Sequence, residues 1–105
     1  MRRGDVWWAE LKMPSGRRPV VLLSRNEAYS IREMITVAPI TTRIRKIPVE
    51  VPLGKKDGLP KNCVVNLDTI TTIPKRCLAE NIGHLSPIKL KAINDAIRFA
   101  LALGK

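Results

Sequence analysis

The chain has 105 residues, 45% of them hydrophobic, 27% charged and 8 proline, which is the ordinary range for one globular domain over residues 1–105 and excludes a disordered or two-domain chain. Folding at this size buries roughly 65% of the unfolded chain's surface, so a core forms without disulfides or structural metal. Nineteen Lys and Arg against nine Asp and Glu leave a net charge of +10, and the natural partner is a polyanion: a nucleic acid, an acidic protein or an anionic membrane surface.

That charge is not a detachable arm. Ten basic and five acidic residues precede position 51, and nine and four follow it, so a binding face has to be assembled by folding. Met1-Arg2-Arg3 has the charge of a signal peptide's start, but Gly4-Asp5 follows and no apolar stretch long enough for a signal core or a membrane span occurs. The expected location is the cytosol, with no membrane partner. Cys63 and Cys77 are too few for a disulfide scaffold and lack CxxC spacing, so both read as small buried hydrophobes.

In chain order, Asp5–Leu11 suits a pleated surface and ends in the turn Met13-Pro14-Ser15-Gly16. Trp7 and Trp8 then point to opposite faces, one into the core and the other free to stack on a base or cover an interface. The unbroken apolar run Pro19–Ser24 predicts a central strand buried on both faces, and Asn26 begins a connection. Ile35–Thr41 is β-branched, and its Pro39 predicts an edge position, a bulge or a strand end, with Thr41 and Thr42 at a mouth. In Ile47–Leu53, Val49, Val51 and Leu53 share one face while Pro48 and Pro52 guard an edge. After the loop Gly54–Asn62, strand character runs from Cys63 through Ile73 and closes at Pro74. A helical turn is expected at Lys75–Leu78 and a short strand near Asn81–Gly83. Ser86 as N-cap, Pro87 in the first turn and Gly104 as terminator frame one helix, with Leu90, Ile93, Ile97, Ala100 and Leu101 toward the sheet and Lys89, Lys91, Asn94, Asp95 and Arg98 away from it. Strands followed by one terminal helix describe a mainly β chain, a small, partly open barrel of five to seven strands with a C-terminal α-helix.

Catalytic signatures are mostly missing. There is no Walker loop, GxGxxG, HExxH, nucleophile elbow or Cys/His cluster, so neither a metal site nor another cofactor is expected. His84 is the only histidine, which precludes a two-imidazole acid–base pair in one chain; next to the helix cap it suits a structural or solvent-facing role. What remains is Arg17-Arg18-Pro19 at the start of one strand and Thr41-Thr42-Arg43 at the end of another. An arginine held on a rigid strand presents a permanently charged fork of donors to a phosphate, although from the residues alone Arg17 and Arg18 read more simply as solvated loop charges. Aromatic content of 4% leaves no extensive base-stacking platform. Asp68 and Thr69 offer base-edge hydrogen bonding to single-stranded RNA, or else a cap and a solvated charge.

The strings Arg3-Gly4-Asp5-Val6-Trp7, Gly16–Ser24, Val37-Ala38-Pro39-Ile40-Thr41, Cys63–Ile70 and Ile82–Ser86, in this order and spacing, resemble the MazF/PemK (Kid) family of toxins over nearly the whole chain. The resemblance implies an SH3-like barrel, a homodimer, and a sequence-specific, metal-independent endoribonuclease. Such an enzyme cleaves single-stranded RNA by attack of the ribose 2′-hydroxyl, leaving a cyclic phosphate and a free 5′-hydroxyl. It also implies an acidic, MazE-like cognate antitoxin covering the RNA groove. Matching residue by residue makes Arg18 and Thr41 catalytic, which reverses the simpler reading of Arg18, and places Arg17, Asp68 and Thr69 among RNA contacts. Two features depart from the pattern. Some members carry an arginine where this chain has Asn66, and the loop from about Lys12 to Arg17 is short, so the cleavage motif does not transfer. Two other functions suit a basic barrel: inhibition of DNA gyrase by protein binding, and nucleic-acid binding without catalysis.

Overall fold

The computed structural model describes residues 1–14 and 16–104. Seven antiparallel strands form one open sheet: β1 (Asp5–Glu10), β2 (Arg17–Leu22), β3 (Met34–Thr41), β4 (Glu50–Leu53), β5 (Cys63–Asn66), β6 (Thr71–Pro74) and β7 (Leu78–His84). Their order is β4-β5-β3-β2-β1-β7, with β6 also paired to β3. The barrel is therefore not closed, and β4 lies at one edge, in keeping with Pro52. Short helix α1 (Ala28–Ile31), which the sequence reading passes over as connection, buries Ala28 and Tyr29, and α2 (Pro87–Ala100) follows the sheet.

The apolar residues divide into two clusters. Val6, Val21, Ala38, Ile40, Val51 and Val65 pack with Ile93 and Ala96 of α2, whereas Ala9, Val20, Leu22, Ile35, Val37 and Ile73 surround Tyr29 on the other face. Because successive side chains of a strand alternate, β2 serves both clusters at once, which is why its run lacks polar alternation.

Pro39 is not at an edge. Residues 34–37 of β3 pair with β6, residues 40–41 pair with β5, and residues 37–39 pair with β2. The proline thus marks the place where β3 leaves one partner for the next. The expected continuous strand from Cys63 to Ile73 is likewise broken. The Asn66 carboxamide accepts a hydrogen bond from the Asp68 N–H at 2.9 Å, and Thr69 Oγ1 donates to the Asn66 carbonyl at 3.3 Å, closing a 3-10 turn over Leu67–Thr69. This competition of short polar side chains for the backbone splits the run into β5 and β6.

Helix α2 starts as read, with Ser86 Oγ accepting from the Lys89 N–H at 3.2 Å, but it ends at Ala100, well before Gly104. Ala102 takes the left-handed conformation (φ 55°), while the Leu103 and Ala102 N–H groups return to the Arg98 and Phe99 carbonyls at 2.9 and 3.3 Å. That double bond is a Schellman closure, here built on alanine where glycine is usual. Leu101 therefore leaves the buried stripe and is exposed. Asn94, expected outward, is half-buried and accepts from Arg3 Nη2 at 2.8 Å.

Asp5 is the only polar residue in the buried set among the described residues, 6% exposed. Its carboxylate meets His84 Nδ1 at 2.8 Å across the β1–β7 ladder and accepts from the Arg2 N–H at 3.0 Å and Trp7 Nε1 at 3.5 Å. Burial alone raises the carboxyl pKa, but the hydrogen bonds from His84, Arg2 and Trp7 outweigh it and hold the pKa below the usual 3.8. A carboxylate with a lowered folded-state pKa contributes stability that is fully present above its unfolded pKa and lost as pH falls toward the folded one. Thermal melts between pH 2 and 6 are expected to show wild type losing this contribution below about pH 4, where an unperturbed Asp begins to protonate. Asp5→Asn should start less stable at pH 6 and show a flatter acid limb.

Candidate active site

The register of the β2–β3 ladder runs Leu22↔Val37, Val21↔Ala38, Val20↔Pro39; Leu23 N–H donates to the Thr36 carbonyl, so alternate residues of β2 face β3, and the next of them is Pro19, which has no N–H with which to extend the ladder. Continuing the same register by two residues brings Arg18 level with Thr41, on the face shared by Val20 and Pro39. Two hollows open beyond that point. A cleft of about 240 Å³ is lined by Trp8, Arg17, Arg18, Thr41 and Lys61, among others. A second, of about 370 Å³, is lined by Arg18, Thr41, Arg43, Arg45, Asn66 and Thr69, among others. Arg18 and Thr41 border both, so they form the wall between them.

The two adjacent arginines differ in their engagement. Arg17 Nη1 donates to Glu10 Oε2 at 3.0 Å, its Nη2 reaches Glu80 Oε1 at 3.4 Å, and its guanidinium lies 5.0 Å over the Trp8 ring. Arg18 is half-buried and its side chain has no hydrogen bond or ion pair within the described residues; its Nε is buried without a partner. A desolvated, unpaired guanidinium donor is costly. An incoming phosphate oxygen would satisfy it. Thr41 Oγ1 accepts from the Arg43 N–H at 3.1 Å, which fixes the hydroxyl while leaving its proton free to donate into the site.

Neither hollow is lined by a carboxylate or an imidazole. His84 is occupied with Asp5 and lines neither hollow. Burial pushes the Cys63 thiol up, with Asp57 nearby adding to the effect, so this cleft residue stays protonated and unreactive at neutral pH. Cys77 is half-buried, and both cysteines are free. Among the described residues no group of three or more His, Cys, Asp or Glu is placed to hold a metal ion. What the site offers is positive charge and hydroxyl groups, suited to a reaction in which negative charge grows on a phosphate.

Of the residues singled out from sequence, Arg18 and Thr41 line both hollows together, Arg17 lines the first and Thr69 the second. Asp68 sits exposed on the same 3-10 turn as Thr69 but lines neither. Sequence reasoning missed Arg45 and Lys61. The basic run Arg43-Ile44-Arg45-Lys46 immediately after Thr41 was a signal for the first; Lys61, in a loop twenty residues farther on, had none.

Sequence and fold are both similar to known proteins. Residues 2–101 match the family model described as PemK-like, MazF-like toxin of type II toxin–antitoxin systems. A relative from Mycobacterium tuberculosis named probable endoribonuclease MazF5 is 40% identical over 100 residues, 94% of this chain and 91% of its own. The solved structure of the Mycobacterium tuberculosis toxin MazF-mt6 superposes with a TM-score of 0.89 at 35% identity, covering 96% of this chain and 99% of the other. A mycobacterial endoribonuclease solved in complex with its cognate antitoxin superposes with a TM-score of 0.87 at 30% identity, covering 100% and 98%. With the family model spanning nearly its whole length, and with the open seven-stranded sheet and terminal helix shared with these structures, the chain belongs to the PemK-like, MazF-like toxins of type II toxin–antitoxin systems.

Proposed function

We propose that this chain is the toxin of a toxin–antitoxin pair and a sequence-specific endoribonuclease that cleaves single-stranded mRNA without metal, arresting growth when its antitoxin is lost. The observation that carries the reading is the unpartnered Arg18 Nε on hollows that the Thr41 side of β3 also lines, in a site with no carboxylate or imidazole. In the reaction the ribose 2′-oxygen attacks the adjacent phosphorus, its proton passing to solvent. The bond from phosphorus to the 5′-oxygen breaks, and that oxygen takes a proton, leaving a 2′,3′-cyclic phosphate and a 5′-hydroxyl. Arg18 binds the non-bridging oxygens, offsets their growing charge and donates toward the departing 5′-oxygen. Thr41, a neutral hydroxyl with too high a pKa to act as base, orients the phosphate or the 2′-hydroxyl by donating a hydrogen bond. Arg17, Thr69 and Asp68 contact flanking nucleotides.

A single toxin domain spans residues 1–105, acts in the cytoplasm and pairs into a homodimer, and an acidic, MazE-like antitoxin blocks its basic groove. Among the described residues no helix is long and apolar enough to cross a membrane. The test is incubation of the purified protein with a long single-stranded RNA in excess EDTA, followed by mapping of fragment ends. Cleavage at a fixed short sequence with cyclic-phosphate termini is expected. RNA that stays intact while the protein binds it, or binds a gyrase subunit, overturns the enzyme reading. For Thr41 the expectation is full cleavage by Thr41→Ser and loss of cleavage by Thr41→Val, which keeps the shape and removes the hydroxyl. An active Thr41→Val ends its assigned role.

A further inference from the structure

A further hollow, larger than either of the two described above, lies outside the Arg18–Thr41 site. It measures about 760 Å³, and its charged lining is Lys55, Lys56, Lys61 and Lys89 against the single carboxylate of Asp57. Pro60 and Lys61 line this hollow and the 240 Å³ cleft alike, so the two are neighbours. From Arg43 and Arg45, past Arg18, to Lys61 and the lysine cluster, basic side chains border three hollows in succession, each sharing lining residues with the next.

The loop that carries these lysines is built, not slack. Asp57 Oδ2 accepts from the Gly54 N–H at 2.9 Å, and the Asp57, Gly58 and Leu59 N–H groups return to the carbonyls of Gly54, Lys55 and Gly54 at 2.9, 3.1 and 3.3 Å. Gly58 supplies the left-handed turn (φ 90°), and Leu59 anchors the loop in the core at 3% exposure. The Asp57 carboxylate is thereby turned onto the loop's own backbone. Lys55 and Lys56 stand exposed at successive positions of the resulting 3-10 turn, and Lys89 of α2 reaches across to the Pro52 carbonyl.

We propose that this lysine hollow is a distal subsite holding the sugar–phosphate backbone of the RNA strand as it leaves the Arg18–Thr41 centre through Lys61. No aromatic side chain lines it, so it grips phosphates and leaves bases unread. Lysine, a compact charge on a flexible stem, suits that task better than the planar readout expected of arginine. Its position next to the cleft, with Lys61 bordering both, favours a continuing nucleic-acid strand over a separate acidic protein segment. The inference rests on the RNA reading above.

The test uses wild type and the double variant Lys55→Gln/Lys56→Gln with two 2′-O-methyl RNAs, which resist cleavage. One is long, and the other is just long enough to fill the Arg18–Thr41 centre. Affinity is read against salt, with melting temperature confirming the fold. The expected result is weaker binding of the long strand, with the slope of log K against log salt reduced by about 1.4 for two lost phosphate contacts, and unchanged binding of the short one. A control double variant at the far face of α2, Lys91→Gln/Arg98→Gln, removes the same charge and should leave the slope unchanged. A long-strand slope equal to wild type overturns the subsite. So does a variant that keeps RNA affinity while losing affinity for a polyglutamate peptide, which would hand the hollow to an acidic protein. Failure of the enzyme reading shows separately, as unmodified RNA left intact by wild type, and the slope still decides the subsite.

Discussion

Arg18→Ala is expected to lower the rate of RNA cleavage by about 10²–10³-fold, the usual cost of deleting one donor aimed at developing charge. The loss should fall mainly on kcat, because the guanidinium interacts most strongly when charge on the phosphate is greatest. Stability should not fall, since the Arg18 side chain makes no hydrogen bond or ion pair within the described residues to lose and its buried Nε lacks a partner. Arg17→Ala is the informative contrast. Its guanidinium is shared among Glu10, Glu80 and Trp8, so its removal should raise KM several-fold with a far smaller effect on kcat. Single-turnover cleavage of one defined RNA by both variants separates the two arginines; equal effects on kcat would contradict the assignment.

Ile93→Ala carries the largest expected effect on stability. Ile93 is fully buried, at 0% exposure, where α2 packs on Val6, Val21 and Ile40. Truncating such a side chain costs about 2–5 kcal/mol, from lost transfer free energy plus the cavity left behind. For a chain of this size that corresponds to a fall in Tm of roughly 10–25 °C. Ile88→Ala, in the first turn of the same helix but 81% exposed, should change stability by less than about 0.5 kcal/mol. Denaturant titration of both variants at one protein concentration measures the difference, and a comparable loss at Ile88 would mean that its surface is covered.

The elements read most readily from sequence are those whose signal is local. Trp7-Trp8, the Val20–Leu22 run, the 3-10 turn at Lys75–Cys77 and the Ser86-Pro87 start of α2 each occupy the expected place. The errors come from non-local or backbone effects. Pro39 sits inside the sheet because β3 changes partners there, a fact of pairing that no window of sequence contains. The break at Leu67–Thr69 depends on which backbone N–H the Asn66 side chain captures. The end of α2 was assigned to Gly104 by residue preference, yet Ala102 makes the left-handed turn.

The site was legible in the same uneven way. Arg18 and Thr41 could be named through family resemblance, while their placement on the same two hollows follows from how β2 and β3 lie together. That Arg18 and not Arg17 has the free guanidinium required Glu10 directly across the ladder and Glu80 from β7. Lys61 and Arg45 join from loops whose positions are set by distant packing.

The wall between the two smaller hollows has a consequence for inhibition. Both are bordered by Arg18 and Thr41, so a carboxylate seated on Arg18 would intrude on the two approaches at once. A short acidic segment could therefore silence the whole groove from one anchoring point, without having to fill it. An inhibitor placed in either hollow alone would obstruct the strand and leave the guanidinium exposed.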